Sequence, residues 1–428
     1  MTYEEARQYI EEVSKTGIVL GLDSIKNLLH ELGNPQDDLK FVHIAGTNGK
    51  GSTLAFISTV LEVAGYTTGR YVSPTVQSYR ERIQVNRTNI SKADFANGMV
   101  KIKKAVDSLQ AKDLPQPSVF EIETALGFLH FKAQGCDIVV METGMGGATD
   151  ATNVITNTLV AAITSVSRDH MEFLGDTIAD LTRAKVGIIK PKCTVIHGKL
   201  PVAAVEIINE KIEHFGNKRH ILDENVVKIQ KSQKKYTQLF SYQNMKDIEI
   251  NLLGRHQIKN AALAILVIQS LKAHGMLITD VQIKQGLAAT EWFGRITVLQ
   301  AKDPVIIVDG AHNQESAAAL ATTLRELFPT DRIVGIMGTF KDKEVAQMLA
   351  EVKDVMSEIH AITLPDVNRS LTAQVLAKQV EAAGIKAIVQ ASIAVAIKQA
   401  SHDADVVVVF GSLSHLGEMT KIIKKFSN

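Results

Sequence analysis

The apolar run Phe41-Val42-His43-Ile44-Ala45 breaks abruptly into Gly46-Thr47-Asn48-Gly49-Lys50-Gly51-Ser52-Thr53, and no other stretch restricts the fold as much. A buried strand that ends in glycines around one lysine and one hydroxyl is the pattern of a phosphate-binding loop. Gly46, Gly49 and Gly51 let the backbone turn tightly and aim N–H groups inward, Lys50 supplies a cation, and Ser52 a hydroxyl able to reach Mg²⁺. Residues 53–64 read as the helix whose N-terminal dipole faces the phosphates. The spacing departs from the common GxxxxGK[ST] pattern, because three residues separate Gly46 from Lys50 and Gly51 precedes the hydroxyl. A glycine-rich turn without a ligand is the competing reading, and the coincidence of lysine and hydroxyl disfavours it.

A strand–loop–helix unit of this kind requires a parallel sheet, and the rest of the chain supplies one. Phe41–Ala45, Asp137–Met141, Leu159–Val166 and Thr194–His197 read as strands separated by amphipathic segments. Asp176 is the expected N-cap of a helix running through Lys185 to about Ile189. Residues 217–250 turn polar and strand-like, as a peripheral hairpin or edge would. After Arg295 the alternation restarts, with strands at Pro304–Val308, Arg332–Met337, Glu358–Leu364, Ala387–Gln390 and Asp405–Phe410, each followed by a helical stretch. The chain of 428 residues is too long for one ordinary core. It divides into an α/β unit at 1–294 with a mainly parallel sheet and a smaller Rossmann-like α/β unit at 295–428. The junction Glu291-Trp292-Phe293-Gly294-Arg295-Ile296-Thr297 then lies between them, where small-molecule sites tend to form.

Charge and composition exclude several classes of function. Lys and Arg total 47 against 46 Asp and Glu, so no global field recruits nucleic acid or an anionic membrane. No window reaches eighteen uninterrupted apolar residues, and the N-terminus opens an acidic amphipathic helix rather than a leader, so a cytoplasmic protein is expected. Cys136 and Cys193 sit in apolar surroundings without metal-like spacing and read as buried thiols.

Three further strands end in polar residues, at the carboxyl edge where α/β sheets bind ligands. Glu142 leaves its strand before Thr143-Gly144-Met145-Gly146-Gly147 and is well placed to hold Mg²⁺. Ser165-Val166-Ser167-Arg168-Asp169-His170 runs out of the next, with His170 reading equally as a metal ligand or a turn histidine. Val305-Ile306-Ile307-Val308 ends in Asp309-Gly310-Ala311-His312-Asn313, and Arg295 just upstream is positioned to neutralise a phosphate from the opposite side. Lys185 on local grounds is an ordinary helical lysine. Two half-sites on two units imply closure around a nucleotide.

In this order the segments resemble the folylpolyglutamate synthase/dihydrofolate synthase branch of the Mur ligase family, over nearly the whole chain. Gly46-Thr47-Asn48-Gly49-Lys50-Gly51-Ser52 is similar to that family's phosphate-loop variant, and Leu20-Gly21-Leu22-Asp23 with Leu32-Gly33-Asn34-Pro35 to the branch's N-terminus. Further matches are Tyr71-Val72-Ser73-Pro74 with Glu81-Arg82-Ile83, Glu142 in its glycine-rich segment, Asp169-His170, Lys185-Val186-Gly187-Ile188, His256-Gln257 with Asn260-Ala261, the Asp309–Asn313 segment and Gly411-Ser412-Leu413.

The resemblance implies a Mur-ligase-type central domain and a set of roles. ATP and two Mg²⁺ ions are the implied cofactors; Ser52, Ser73, Glu142 and His170 bind metal, and Lys185 is carried as a carbamate. Asn260, Arg295, Asp309 and His312 meet the nucleotide beside Gly46–Ser52, while Lys50, Lys185, His170 and Asp309 form the catalytic set. The implied reaction activates a carboxylate as an acyl phosphate, which the amine of L-glutamate converts to an amide. Extension of the glutamate tail of reduced folates is the favoured reaction, with dihydropteroate as the other acceptor; the partners are small molecules, and a monomer suffices. Thr75 and Ala148 depart from the family pattern on the acceptor side. A cell-wall Mur ligase would need a further domain before the loop, where only 45 residues precede Gly46. A nucleotide-dependent switch without ligation is the alternative from another class; it has no use for His170, Lys185 and the Asp309/His312 cluster.

Overall fold

The computed structural model describes residues 1–14, 21–169, 171–413, 416–417 and 422. Its elements run α1 (Tyr3–Val13), α2 (Asp23–Glu31), β1 (Phe41–Ala45), α3 (Lys50–Val63), β2 (Thr68–Tyr71), β3 (Ile83–Val85), β4 (Thr88–Asn89), α4 (Lys92–Ala111), α5 (Val119–Ala133), β5 (Ile138–Glu142), β6 (Thr158–Ile163), α6 (Met171–Leu174), α7 (Ile178–Val186), β7 (Thr194–His197), α8 (Val202–Phe215) and β8 (Lys218–Ile221). Next come β9 (Val227–Gln230), β10 (Gln238–Tyr242), β11 (Met245–Ile250), α9 (Arg255–Ala273) and α10 (Asp280–Ala288). The C-terminal part comprises β12 (Thr297–Gln300), β13 (Val305–Val308), α11 (Gln314–Leu327), β14 (Ile333–Met337), α12 (Val345–Val352), β15 (Glu358–Ala361), α13 (Ala373–Ala382), β16 (Lys386–Val389), α14 (Ile393–Asp403) and β17 (Val406–Phe410).

An eight-stranded sheet of order β4-β3-β2-β5-β1-β6-β7-β8 forms the first unit. β1 lies between β5 and β6, parallel to both, and is buried along its whole length. That explains its unbroken apolar pattern: a central parallel strand is covered on both faces. Only the β2–β3–β4 edge is antiparallel. One core lies on the α3/α9/α10 face and includes Phe56, Val60, Ile265 and Leu287; another lies on the α1/α2/α4/α5 face and includes Ile25, Phe95, Phe128 and Phe131. The second unit is a six-stranded sheet of order β12-β13-β17-β14-β15-β16, parallel apart from β12. It has its own cores, one around Leu320, Met348 and Phe410 and one around Ile336, Ile397 and Val409. The α/β architecture expected from sequence is therefore present in both units. Residues 227–250 form a small three-stranded antiparallel sheet.

Local details differ from the sequence expectations in physical ways. α3 starts at Lys50, three residues before Thr53, because Gly49 takes φ +84° and turns the chain directly into the helix. The N-cap of α7 is Thr177, whose side chain accepts the N–H of Asp180, not Asp176. The same helix stops at Val186 rather than near Ile189. Cys136 and Cys193 are both buried and free, as expected.

Candidate active site

β1, β5 and β6 end side by side, and their exits build the floor of a cleft of about 310 Å³ facing the second sheet. The phosphate-type loop is rigidified by the exit of β6. Thr47 Oγ1 donates to the Ser167 carbonyl (2.9 Å) and accepts the Ser167 N–H (3.0 Å), while the Asn48 N–H donates to Ser165 Oγ (2.8 Å). Thr164 Oγ1 donates to the Asn48 carbonyl (2.6 Å). Lys50 curls back on the loop, its Nζ donating to the carbonyls of Gly46 (2.9 Å) and Thr47 (3.2 Å). Gly49 permits the positive φ and also a close approach, since a Cβ there would lie 2.6 Å from Asn260 Oδ1 of α9.

Glu142 ends β5 with its side chain buried, 3.9 Å from Lys50 Nζ. Burial pushes its carboxyl above the usual carboxylate range, with Lys50 and Arg295 pulling the other way. The Ser73 N–H points at Glu142 Oε2 (3.4 Å), and Ser73 Oγ is buried without a hydrogen-bond partner. Lys185, on α7, is 3% exposed. Desolvation, and then the nearby Lys50 charge, lowers its ammonium to about 8 against a weaker opposing effect of Asp169. Among the described residues no carboxylate lies within ion-pair distance of it.

The second sheet contributes the opposite wall. Asp309, at the end of β13, is buried and accepts the N–H groups of Ile296 and Ala311, both at 2.8 Å. Burial raises its pKa, opposed by Arg295 and those two N–H groups. His312 Nδ1 lies 2.7 Å from the Gly310 carbonyl and its Nε2 3.7 Å from Asp169.

Gly46, Thr47, Asn48, Gly49, Lys50, Gly51, Ser52, Ser73, Glu142, Lys185, Asn260, Arg295, Asp309 and His312 all line this one cleft. His170, expected as a metal ligand and catalytic residue, and Leu20 lie outside the described residues. Sequence reasoning missed the contacts that join the two walls. Asn48 Nδ2 donates to Glu315 (2.7 Å), Asn313 Nδ2 donates to Asn48 Oδ1 (3.1 Å), and Lys343 Nζ pairs with Asp169 (3.1 Å). Only the position of Lys343, six residues beyond a strand's carboxyl end, could have flagged it.

Two family models cover most of the chain: the Mur ligase middle domain over residues 44–268 and the Mur ligase glutamate ligase domain over residues 294–413. The dihydrofolate synthase/folylpolyglutamate synthase of Bacillus subtilis is 35% identical over 84% of this chain and 84% of its own. The chain belongs to the folylpolyglutamate synthase/dihydrofolate synthase branch of the Mur ligase family. Among solved structures of this branch, the Mycobacterium tuberculosis folylpolyglutamate synthase complexed with ADP and AMPPCP matches with a TM-score of 0.89, 28% identity and 98% of both chains covered. Escherichia coli FolC in complex with DHPP and ADP matches with a TM-score of 0.87, 26% identity, and 100% and 99% covered. As a member of a ligase family the chain is an acid–amino-acid ligase, and a switch protein without ligation is not favoured. Among the described residues no helix is long and apolar enough to cross a membrane.

Proposed function

We propose that this cleft is where the chain, an ATP-dependent ligase, adds L-glutamate to the glutamate tail of reduced folates, and joins glutamate to dihydropteroate as its second reaction. The observation that carries the reading is the single cleft in which a phosphate-type loop and Glu142 face Arg295, Asp309 and His312 from a second sheet. In the first step a substrate carboxylate oxygen attacks the terminal phosphorus of ATP and ADP leaves. In the second, the amine of glutamate attacks the acyl carbon and phosphate leaves.

The residue roles belong to the same proposal. The loop amides of Gly46–Ser52 and Lys50 orient the phosphates, and Asn260, Arg295, Asp309 and His312 hold the nucleotide from the other side. Support for a cation at Ser52, Ser73 and Glu142 comes from the unpartnered buried Ser73 Oγ beside a buried carboxylate. Among the described residues no group of three or more His, Cys, Asp or Glu converges. Mg²⁺ does not need such a group, because it takes one or two carboxylates and completes its shell with phosphate oxygens and water. Two bound Mg²⁺ ions, the second near His170, would spread the charge of the transferring phosphoryl group. Lys185 carries a carbamate in this proposal, supported by the burial that leaves its amine about half deprotonated near pH 8; as an ammonium it would repel a cation. The division at 294/295 is supported by the separate cores of the two sheets. A monomer is supported by one chain supplying both walls, and a cytoplasmic location by the need for ATP.

The test is ADP release by the purified protein with Mg-ATP and L-glutamate, comparing a tetrahydrofolate, dihydropteroate and no acceptor. Turnover with both acceptors is expected. Turnover with one alone assigns a single activity, and ATP binding without acceptor-dependent turnover refutes the proposal.

A further inference from the structure

The loop's departure from the common pattern, a glycine between the lysine and the hydroxyl, has a physical cause on the other side of the chain. Gly51 lies in the first turn of α3 with an ordinary negative φ, so no backbone conformation demands glycine there. Its missing side chain is replaced by the indole of Trp292. A Cβ on Gly51 would stand 2.9 Å from Trp292 Nε1 and 3.2 Å from Cε2 and Cζ2. A flat, doubly fused ring held on a linker cannot swing aside as the tip of a lysine would.

Trp292 is the chain's single tryptophan and sits in the segment that joins the two sheets. Before it, α10 is bolted to α3: a Cβ on Gly286 would meet the Val60 backbone within 2.9 Å. Trp292 itself packs on the core beneath α3, whereas its neighbour Phe293 packs on a core of the second sheet. The linker therefore changes allegiance between two adjacent residues. Just beyond, Gly294 accepts the Gly310 N–H (2.8 Å), and Ile296 adopts φ +47°, a left-handed conformation that a β-branched side chain strongly resists. The N–H of Ile296 is held at 2.8 Å by Asp309. Five residues thus run from the first turn of the phosphate-binding helix to the buried carboxylate of the opposite wall, through one strained residue.

We propose that Trp292 is a positioning residue that transmits the placement of the second sheet to the phosphate loop, its indole standing where a side chain at position 51 would be. The inference rests on the nucleotide reading of the cleft. It assigns Trp292 no contact with substrate; the indole sets the pose of the first turn of α3, whose amides and Lys50 face the phosphates. Movement of the linker on closure would press or release Gly51, and nucleotide bound at the loop would in turn bias the linker.

The single indole makes the coupling directly readable. Addition of Mg-ADP to the full chain should shift Trp292 emission saturably, with the half-saturation seen by calorimetry. Trp292→Ala should weaken Mg-ADP binding and raise KM for ATP by about fivefold or more, and Trp292→Phe should recover most of that loss. The deciding measurement is a cycle: Gly51→Ala should weaken Mg-ADP binding in the wild-type background and cost little in the Trp292→Ala background, where the space is vacant. Equal costs of Gly51→Ala in both backgrounds, or a Trp292→Ala protein with a lower Tm but unchanged nucleotide affinity, would overturn the proposal. Should the variants fail to fold, wild-type emission that ignores calorimetrically proven Mg-ADP binding overturns it as well. A wild type that neither binds Mg-ADP nor turns over would instead refute the ligase reading itself.

Discussion

Carbamate formation at Lys185 should follow the pH profile of a buried amine rather than of an ordinary lysine. Only the neutral amine attacks CO₂, forming the N–C bond and releasing a proton. With the ammonium lowered from 10.5 to about 8 by burial, about a tenth of the side chain is neutral at pH 7, against about one part in 3,000 for an unperturbed lysine. Burial therefore raises the reactive fraction by about 300-fold at that pH. The profile has a distinctive shape: the rate should climb about tenfold from pH 6 to 7, about fivefold from 7 to 8, and less than about twofold from 8 to 9. The assay starts with enzyme stripped of CO₂ by exhaustive degassing, adds bicarbonate to a fixed dissolved CO₂ at each pH, and follows recovery of acceptor-dependent ADP release at one common pH. Lys185→Arg should be inactive and indifferent to CO₂. A climb that continues tenfold per unit beyond pH 9, or activity that never depends on CO₂, refutes the reasoning.

Three other perturbations have defined outcomes. Lys50→Met removes the ammonium that ties Gly46 to Thr47 and lies against Glu142; KM for ATP should rise at least about tenfold, or ~1.4 kcal/mol, in steady-state kinetics, and an unchanged KM would contradict its phosphate role. Ser73→Ala deletes a hydroxyl that has no partner, so urea denaturation should show stability within about 0.5 kcal/mol of wild type or above it, while the Mg²⁺ concentration for half-maximal activity rises several-fold; a large loss of stability with unaltered Mg²⁺ dependence would reverse that assignment. His43 and His256 are desolvated to about 3 and about 4 from 6.5. Their folded values lie below the unfolded ones, so the unfolded chain takes up protons first and acid favours unfolding. By pH 5 each removes about 2 kcal/mol, and His43→Leu should make the loss of stability between pH 7.5 and 5 shallower by about that amount; an unaltered slope would refute it.

The strands were legible because the central ones are buried on both faces, and unbroken apolar runs ending in Gly, Asp or Glu survive any tertiary context. β1 and β7 match residue for residue, β13 and β17 differ by a residue at an end, and β5 is shifted by one residue. Errors came where a neighbour far along the chain decides. α7 stops at Val186 because the Ala148 N–H takes the Ala184 carbonyl (2.6 Å), the acceptor that the Ile188 N–H would use in a continuing helix, and nothing near position 187 announces Ala148. The N-cap was ambiguous for a local reason, since Asp176 and Thr177 are adjacent capping residues. The floor of the cleft was readable strand by strand, from carboxyl ends. Its cross-wall contacts were not: Asn48 with Glu315 and Asp169 with Lys343 join residues more than 170 positions apart, and no periodicity carries such information. Family resemblance, not local pattern, singled out Lys185 and Asn260.

The division of the site between two sheets also accounts for its unusual charges. Glu142, Asp309 and Lys185 are each buried enough to shift toward their neutral forms, and a structure without a ligand gains nothing by holding them so. Within a single sheet such groups would relax toward solvent. Here Asp309 is fixed by two backbone N–H groups, one of them from the strained Ile296, and Glu142 is fixed at the end of a fully buried strand. Each wall therefore keeps its charges under-compensated, and a polyanion with its cations would compensate both at once. Preorganised, desolvated charge is what electrostatic catalysis requires, because nothing then needs to reorient as the phosphoryl group moves. The instability is confined to the cleft, while the cores behind the two sheets, on both faces of each, supply the apolar burial that tolerates it. On the proposed reaction, opening the walls would expose an acyl phosphate to water, and the cross-wall contacts that sequence could not disclose would then be the ones that protect it.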